Sequence, residues 1–392
     1  MAFSGTTVMD ERLCFVAACL RGEETMTSIC LRFGISRDTG YKWLGRYRQA
    51  GALGLVDRSR APRTVPHRVD DVMAARIMAL RQAHPTWGPR KLLARLALDD
   101  PQQRWPAAST VGDLLKRHGM VVPRKRRRPQ GLAGPSVAEP TASNQSWSAD
   151  FKGWFRTGDG VRCEPLTISD NYSRYLLTCE AVPQFTLRCV KPLFERAFRE
   201  HGLPDAIRTD NGAPFAFRRG LGGLTGLSVW FLELDIWPDR ITPGRPDQNG
   251  RHERMHRTLK EDTASPPAAS LAAQQDRFDA WRHDYNTRRP HEALGQTPPA
   301  RHYQSSRKTY PEAVSPWHYP PDHHTRKIDS KGYLVWRNQK IYLTEALAFR
   351  HVAMARRDDD DWTIRFRQFD LARIDDRTNT IVPTGLSRST KT

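Results

Sequence analysis

The sequence is poor in cysteine, in long apolar runs and in acidic relative to basic residues, and each shortage excludes a class of protein. Its six cysteines form no CxxC pair and no paired framework, so neither a zinc module nor a secreted disulfide scaffold is indicated. No apolar run approaches the roughly 18 residues that span a bilayer, and the N-terminus lacks an apolar signal region. We therefore expect a soluble protein of a reducing cytoplasm, with no membrane partner.

The shortage of negative charge points to the partner. Lysine and arginine together number 62 against 43 acidic residues, which gives a net charge of +19. Such an excess favours a long polyanion, and nucleic acid is the first candidate. A chain of 392 residues is too long for one ordinary core, so we expect a multidomain protein of about two to four units.

The first 63 residues have the outline of a helix-turn-helix domain. Three helix-like stretches run from Met9 to about Gly54, and the turn Phe33-Gly34-Ile35-Ser36 joins the last two. We expect Thr27 to cap the second helix and Ser36 the third. The predicted apolar seam consists of Ile29, Phe33, Leu44 and Tyr47. The predicted DNA-binding residues at the exposed start of the third helix are Arg37, Thr39 and Lys42, next to Asp38. The alternative is an ordinary helical bundle with a basic surface.

A second helical domain and a basic linker follow. Residues 64–123 are expected to form another helix-turn-helix-like unit, with helices over Asp71–Ala83, Pro89–Leu98 and Ser109–His118. The linker, residues 124–144, begins with the run Arg124, Lys125, Arg126, Arg127 and Arg128. We expect this run to lie along DNA phosphates, although a solvated tether is an equally simple interpretation.

Short strands alternate with helices in residues 145–303. Trp147, Ala149 and Phe151 alternate with polar residues, which places Asp150 on the opposite face of a strand. Strands near Val161 to Ser169 and Tyr175 to Val182 complete an antiparallel meander, with a turn at residues 157–160. A helix over Leu187–His201 then leads to a strand over Ala206–Thr209. That strand delivers Asp210 at its carboxyl end, where open α/β sheets place their chemistry.

Three carboxylates are candidates for a metal-dependent site. Phosphodiester transfer without a covalent intermediate uses two metal ions, which carboxylates from separate elements can hold. Asp150, Asp210 and Glu253 are such carboxylates, but each has an ordinary interpretation when taken singly. Asp150 is then an exposed strand residue, Asp210 part of an Asn-Gly turn, and Glu253 the partner of Arg257 in a surface ion pair.

The surroundings of these carboxylates resemble a known family. Three segments closely resemble the signature segments of DDE transposases of the retroviral-integrase type, and they are Trp147-Ser148-Ala149-Asp150-Phe151, Arg208-Thr209-Asp210-Asn211-Gly212 and residues 243–254. Residues 285–298 are similar to the segment that closes such catalytic regions. The chain thus resembles a bacterial insertion-sequence transposase over nearly its whole length.

The resemblance implies a fold, a site and cofactors. It implies a central α/β RNase H-like core with a mixed five-stranded sheet. It places Asp150 on the first strand, Asp210 after the fourth and Glu253 on a later helix, as catalytic residues that bind two Mg²⁺ ions, with Mn²⁺ as an alternative. Lys260 matches a position that contacts DNA in related integrases.

The helix expected around Glu253 carries cations on the same face. Arg257 and Lys260 follow Glu253 at i+4 and i+7, where they can reach DNA phosphate, while Met255 and Leu259 can face inward. The acidic competitor, Asp247, precedes the predicted helix in a turn-like setting.

The interval before Glu253 departs from the family pattern. It has 42 residues between Asp210 and Glu253, which is more than the family usually has. We expect the glycine-rich segment Gly220 to Gly226 to be a mobile loop that becomes ordered only on DNA.

The C-terminal part is expected to be a small all-β, barrel-like domain over residues 329–385, after a linker over 304–328. The expected strands cover Tyr333–Trp336, Lys340–Leu343, Val352–Arg356 and Trp362–Phe369. Its function is not legible from the sequence.

The predicted function is that of a transposase which binds element ends and catalyses DNA cleavage and strand transfer. Binding two ends implies a homodimer or higher oligomer on double-stranded DNA, in a bacterial cytoplasm and associated with the nucleoid. The main alternative is a catalytically inactive, domesticated helix-turn-helix regulator, which would bind DNA without cutting. An RNase H-like nuclease is a second enzymatic alternative, and it would leave cleaved ends without joined products.

Overall fold

The structure, a computed structural model, covers most of the chain. The described residues are 7–58, 69–121, 139–151, 153–216, 221–242, 248, 250–358, 361–375, 380–382 and 386–388. The predicted basic run at 124–128 and the competitor Asp247 lie outside them. The chain divides into two compact units, Met1–Val69 and Asp70–Thr392. No helix within the described ranges is long and apolar enough to cross a membrane.

The described residues of the first unit form three helices and a short 3₁₀ turn. The bounds are α1 Val8–Arg21, α2 Met26–Arg32, α3 Arg37–Ala50 and the 3₁₀ turn Gly51–Leu55. Ser36 caps α3 as predicted, because its hydroxyl accepts from the Thr39 amide. The predicted N-cap of α2, Thr27, was wrong. Thr25 caps this helix by accepting from the Ser28 amide, and Thr27 already lies in the first helical turn.

The core of this unit confirms the predicted apolar seam. Ile29 and Leu44 are buried, and Phe33 and Tyr47 pack against them. The seam also contains residues that the pattern did not indicate, and these are Phe15, Val16, Cys30, Trp43 and Leu55. Gly40 lets α3 approach α2, since a Cβ there would lie 2.5 Å from the Cys30 sulfur.

The second unit begins with three helices whose bounds agree with the predictions to within one residue. They are α4 Asp71–Ala83, α5 Pro89–Asp99 and α6 Ala108–Arg117. Their core includes fully buried Ile77, Leu92 and Val111. Two polar contacts tie these helices to a later part of the unit, Arg90 to Glu292 at 3.3 Å and His84 to Asp284 at 3.8 Å.

A mixed sheet forms the centre of the second unit. Its strands are β1 Trp147–Phe151, β2 Phe155–Arg156, β3 Arg162–Asp170, β4 Leu176–Val182, β5 Ala206–Thr209 and β6 Trp237–Arg240. The order is β4-β3-β1-β5-β6, with two-residue β2 pairing the start of β3. The pairs β4/β3 and β3/β1 are antiparallel, whereas β1/β5 and β5/β6 are parallel. The predicted mixed sheet is confirmed, but it has six strands and not five, because two-residue β2 is added at the start of β3.

Helices cover both faces of this sheet. The bounds are α7 Leu187–His201, α8 Gly226–Glu233, α9 Gly250–Thr263 and α10 Leu271–Thr287. Helices α7 and α8 share one apolar cluster with the strands, in which Phe194, Phe198 and Phe231 are central. Helices α9 and α10 share the other cluster, through Met255 and Phe278. Because both faces are packed, a substrate can approach the sheet at the ends of its strands.

The glycine-rich segment differs from the expectation of a mobile loop. Residues 217–220 lie outside the described part, but Leu221–Gly223 forms a 3₁₀ turn and Thr225 caps α8. Leu224 is buried and Leu221 packs beside it in the core of the C-terminal sheet. The expectation was wrong for the described part of this segment, because its two leucines pack into an apolar core and so hold the backbone in place.

The C-terminal strands form an open sheet and a hairpin. Their bounds are β7 His324–Lys327, β8 Tyr333–Trp336, β9 Gln339–Tyr342, β10 His351–Asp358, β11 Asp361–Phe366, β12 Phe369–Asp375, β13 Thr380–Val382 and β14 Ser387–Arg388. The sheet order is β13-β12-β11-β10-β7, β14 pairs with β12, and β8 pairs with β9. Among the strands described, no sheet closes on itself, so the predicted barrel is not confirmed. The single strand expected over Trp362–Phe369 was wrong, because a turn with Arg367 at φ 54° divides it.

The C-terminal sheet packs against the part of the unit that contains the central sheet. Val229 and Leu232 of α8 belong to the same apolar cluster as the sheet. Glu233, at the end of α8, accepts from the Arg350 guanidinium at 2.6 Å. The connecting segment also packs on the core, since the Lys308 carbonyl accepts from the Leu203 amide at 2.7 Å. Helix α8 is therefore shared between the two sheets.

Candidate active site

Two of the predicted carboxylates are brought together by neighbouring parallel strands. The register of β1 and β5 pairs Trp147 with Ile207 and Ser148 with Arg208. The observed pairs end there. Continued by two residues, the register sets Asp150 beside Asp210, at the carboxyl ends of strands that are about 4.8 Å apart in a typical sheet. Residues that are 60 positions apart in sequence thus come to the same edge of the sheet.

Hydrogen bonds within the turn after β5, and from it to the end of β6, hold the Asp210 side chain in place. The Asp210 carboxylate accepts from the Gly212 amide at 3.1 Å, and the Asn211 side chain donates to the Ile241 carbonyl at 2.8 Å. The Asn-Gly pair is therefore a turn, as its composition indicates. Because the turn is tied to the end of β6, it also holds the carboxylate at the sheet edge.

Glu253 reaches this edge from helix α9. Met255 and Leu259 face the sheet, as predicted, and the exposed side of the helix carries Glu253. A cavity of about 570 Å³ lies between this side of α9 and the end of β1. Its charged lining comprises Asp150, Glu253, Glu261, Arg257 and Lys260. Asp210 is not among its lining residues, so its place at the site rests on the strand register.

Two buried histidines stand behind Asp150, and the sequence analysis missed them. His256 places Nδ1 3.7 Å from an Asp150 carboxylate oxygen. Its Nε2 lies 2.6 Å from the Thr167 hydroxyl, and His252 Nε2 lies 2.6 Å from the same hydroxyl. The Ser169 hydroxyl is 3.2 Å from His252 Nδ1.

These contacts fit a continuous chain of hydrogen bonds that ends on Asp150. If Ser169 donates to His252, then His252 donates to Thr167, Thr167 donates to His256, and His256 directs its Nδ1–H at Asp150. Alternatively, Thr167 accepts from both rings and donates to the Asp150 backbone carbonyl, which lies 3.3 Å from its hydroxyl oxygen. Burial lowers the pKa of His252 to about 3, which keeps its ring neutral at physiological pH.

The same groups form a possible set of metal ligands. One ligand atom each from Asp150, His252 and His256 lie within 4.8 Å of one another. Both histidines, however, point Nε2 at the Thr167 hydroxyl, so those nitrogens already take part in hydrogen bonds. The only sequence signal for the pair was its i to i+4 spacing, on the face that also carries Met255 and Leu259.

The predicted DNA-binding residues of the first unit lie at the start of α3. Arg37 and Lys42 are exposed, and Tyr41 between them is also exposed. The Thr39 hydroxyl lies 2.9 Å from the Ser36 hydroxyl, so Thr39 contributes to the cap of the helix. The exposed start of α3 is thus cationic and aromatic.

Family models match the N-terminal helical region and part of the region that contains the candidate site. A helix-turn-helix domain matches residues 11–63, a homeodomain-like domain matches residues 39–115, and an integrase core domain matches residues 234–299. The integrase match includes Glu253 and begins after Asp150 and Asp210.

Two relatives come from insertion elements. The chain is 28% identical over 247 residues to an uncharacterized 31.7 kDa protein of insertion element IS407 from Burkholderia multivorans, covering 62% of this chain and 85% of that protein. It is 27% identical over 284 residues to an uncharacterized 39.2 kDa protein of insertion element IS476 from Xanthomonas euvesicatoria, covering 72% of this chain and 78% of that protein.

Two solved structures also match. One is a simian T-cell lymphotropic virus intasome in complex with PP2A regulatory subunit B56 gamma, at 14% identity and a TM-score of 0.37, covering 81% of this chain and 99% of that chain. The other is the HTLV-2 integrase catalytic core domain in complex with magnesium, at 17% identity and a TM-score of 0.32, covering 42% of this chain and 99% of that chain.

Proposed function

We propose that this chain, which belongs to the insertion-sequence transposases with N-terminal helix-turn-helix domains and an integrase core, cuts and joins DNA through Asp150, Asp210 and Glu253. The observation that carries the proposal is the convergence of separate elements on one sheet edge. The β1/β5 register aligns the two aspartates, and Glu253 lines the same cavity as Asp150.

The donor set fits divalent metal ions. Carboxylate oxygens are the ligands that Mg²⁺ prefers, and Mn²⁺ accepts the same donors. Asp150, Asp210 and Glu253 would hold two such ions, with DNA phosphate oxygens and water completing their coordination. When bound, the ions would activate the attacking oxygen and stabilise the leaving oxygen.

The reaction consists of two displacements at phosphorus. In the first, a water oxygen bonds to phosphorus at the element end, and the P–O3′ bond breaks to leave a 3′-hydroxyl. In the second, that hydroxyl attacks a target phosphodiester, one P–O bond replaces another, and a target 3′-hydroxyl leaves. The number of phosphodiester bonds is unchanged in the second step, so no external energy source is required.

Other residues of the chain bind and orient the DNA. Arg257 and Lys260 supply positive charge in the cavity, where they can pair with a phosphate during attack. His256 and Thr167 hold the Asp150 carboxylate from behind. Both side chains are buried, which restricts their motion and so fixes the orientation of the carboxylate.

The helical parts read the element end in this proposal. Residues 1–63 would enter the major groove with Arg37, Thr39 and Lys42, and residues 64–123 would extend the contact. The basic residues 124–128 would follow the phosphate backbone into the core at 145–303. Because two ends must be held together, the working form would be a homodimer or a higher oligomer on DNA. It would act at the bacterial nucleoid.

The test uses the DNA that flanks the gene, with Mg²⁺ and the full chain. Asp150→Asn, Asp210→Asn and Glu253→Gln should each reduce strand transfer at least about 100-fold, since metal ions supply several kcal/mol of transition-state stabilisation. Binding of the element end should persist, because the helical domains are untouched. Asp247→Asn is the matched control, and it should leave transfer unchanged.

Three outcomes would contradict the proposal. Retained transfer by Asp150→Asn would show that this carboxylate is not a ligand. Wild-type protein that binds the ends but yields neither nicks nor joined products would support a regulator instead. Cleaved ends without joined products would support a nuclease.

A further inference from the structure

An exposed tryptophan stands at the rim of the candidate active site. Trp154 lies between β1 and β2, four residues beyond Asp150, and 56% of its surface is exposed. Tryptophan is highly buried on average, and Trp87 and Trp147 are almost fully buried here. A large ring held in solvent beside a catalytic cavity is therefore a candidate binding surface.

Two arginines hold the ring. The Arg162 guanidinium lies 4.9 Å from the centre of the Trp154 ring, and that of Arg156 lies 5.9 Å away. The two arginines are directly paired across β2 and β3. Arg162 is anchored by an ion pair with Glu164, and Arg156 donates to the Gly160 carbonyl at 2.7 Å. The ring is thus fixed in place while much of its surface stays open.

The rim position links the ring to the cavity. Gly153 lines the cavity that contains Asp150 and Glu253, and with Trp154 it also lines a small neighbouring hollow. Lys260 lines both spaces. Three cations surround the ring, from Arg156, Arg162 and Lys260, and Arg162 is paired with Glu164. A basic rim of this kind favours a polyanionic partner over an apolar protein surface.

We propose that Trp154 stacks an unpaired nucleobase of the DNA strand whose phosphate enters the active site. Every base has a π face, so stacking on an aromatic ring tolerates any sequence, and flanking arginines bind the adjacent phosphates. The ring would hold a frayed or single-stranded end at the mouth of the cavity. This inference rests on the proposed function and adds a nucleotide-binding position to it.

The test compares two DNA probes with the full chain. One probe is a short blunt duplex of arbitrary sequence, and the other is the same duplex with a few unpaired thymidines at one 3′ end. Wild-type protein should prefer the second probe. Trp154→Ala should weaken binding to it about tenfold, as the loss of one stacked base would, and should leave blunt-duplex binding unchanged. Trp154→Phe should retain most of the preference.

Trp317 provides a matched control. It is 43% exposed and also lies under one arginine, with the Arg367 guanidinium 5.6 Å from its ring centre. It belongs to the connecting segment and not to the active-site rim. Trp317→Ala should therefore bind both probes as wild-type protein does.

A second measurement identifies the contact directly. With 5-iodouracil at an unpaired position, ultraviolet crosslinking should attach the DNA to the peptide that contains Trp154. Unchanged overhang binding by Trp154→Ala, an equal loss for Trp317→Ala, or a crosslink confined to other peptides would each overturn the inference.

The proposed function is tested separately by Asp150→Asn in the strand-transfer assay. If Asp150→Asn abolishes transfer while Trp154→Ala binds overhangs normally, the stacking inference fails alone. If Asp150→Asn retains transfer, the proposed function fails, whatever Trp154 does.

Discussion

The side chains behind Asp150 show how a single carboxylate is held in position. Thr167 is directly opposite Asp150 in the β1/β3 register, and its hydroxyl contacts both buried histidines. Groups that orient a metal ligand commonly contribute 10- to 100-fold to metal affinity or activity, at about the level of one or two hydrogen bonds. We therefore regard Thr167 and His256 as positioning residues for Asp150.

We expect Thr167→Val to lower the strand-transfer rate about 10- to 100-fold and to raise the Mg²⁺ concentration needed for half-maximal rate. The valine keeps the shape of the side chain but removes the hydroxyl that joins the two rings. The rate is measured as a function of Mg²⁺ concentration on flanking DNA.

Thr167→Ser restores the hydroxyl and serves as the rescue control for this change. A rate and Mg²⁺ dependence for Thr167→Val equal to those of wild-type protein would show that the hydrogen-bond chain has no part in orienting Asp150. Unchanged binding of the element end would show that the protein is folded.

At the scale of elements, helix α3 shows what close packing requires. A Cβ at Gly40 would lie 2.5 Å from the Cys30 sulfur and 3.0 Å from the Phe15 ring, both of them buried. Gly45, on the same helix, has no atom within 4 Å of such a Cβ. An alanine at Gly40 therefore tests the effect of steric overlap, whereas an alanine at Gly45 tests the effect of helix propensity alone.

Gly40→Ala should destabilise the first unit, because overpacking costs about 1–3 kcal/mol and the better helix propensity of alanine offsets only about 0.5–1 kcal/mol. Gly45→Ala should instead stabilise it by about 0.5–1 kcal/mol. Hydrogen exchange of the amides in α1, α2 and α3 measures both effects within this unit. Slower exchange in Gly40→Ala than in wild-type protein would contradict the packing argument.

Helix α8 shows that one element can serve two cores. Its Trp230 and Phe231 pack under the central sheet, while Val229 and Leu232 pack under the C-terminal sheet. All six residues from Leu227 to Leu232 are buried. A helix that is apolar on all sides needs two partners, and this one has them.

At the scale of the whole molecule, some of the positive charge lies at partly buried positions, where it lowers the free energy of unfolding. Lys91 of α5 lies near Arg289 and Glu292, which follow α10. Burial, reinforced by Arg289 and opposed by Glu292, lowers the pKa of Lys91 from 10.5 to about 8. The lysine therefore loses its proton more easily in the folded protein than in the unfolded chain.

This difference predicts how stability depends on pH. Between about pH 8 and 10.5 the unfolded chain binds more protons than the folded protein at this position. The contribution of Lys91 to the free energy of unfolding should thus rise with pH across that window, and the cost of charging it should be fully present below pH 8.

Lys91→Met removes the titration while keeping the aliphatic stem. Urea unfolding of wild-type and Lys91→Met protein, measured from pH 7 to 10.5, should show Lys91→Met as the more stable form below pH 8. The advantage should shrink as pH rises. A stability difference that does not vary with pH would mean that Lys91 has its ordinary pKa.

Much of this molecule follows from local sequence. Bounds of α4, α7 and β5 agree with the predictions, because capping residues, apolar periodicity and strand alternation act over a few neighbouring residues. The net charge of +19 and the segments around Asp150, Asp210 and Glu253 can likewise be recognised in the sequence without knowledge of the fold. The face of α9 that carries Glu253, Arg257 and Lys260 follows from helical spacing, and all three line one cavity.

Other features depend on contacts between distant parts of the chain, which no local pattern encodes. Thr167 and His252 are 85 residues apart in sequence, and their hydrogen bond exists only because α9 packs on β3. The sequence around Leu224 predicts a flexible glycine-rich loop, whereas in the structure this leucine is buried in the core of the C-terminal sheet. The sequence by itself thus determined the kinds of elements and the chemistry they carry. Tertiary packing decided which side chains support that chemistry, because burial and strand register arise only when separate elements meet.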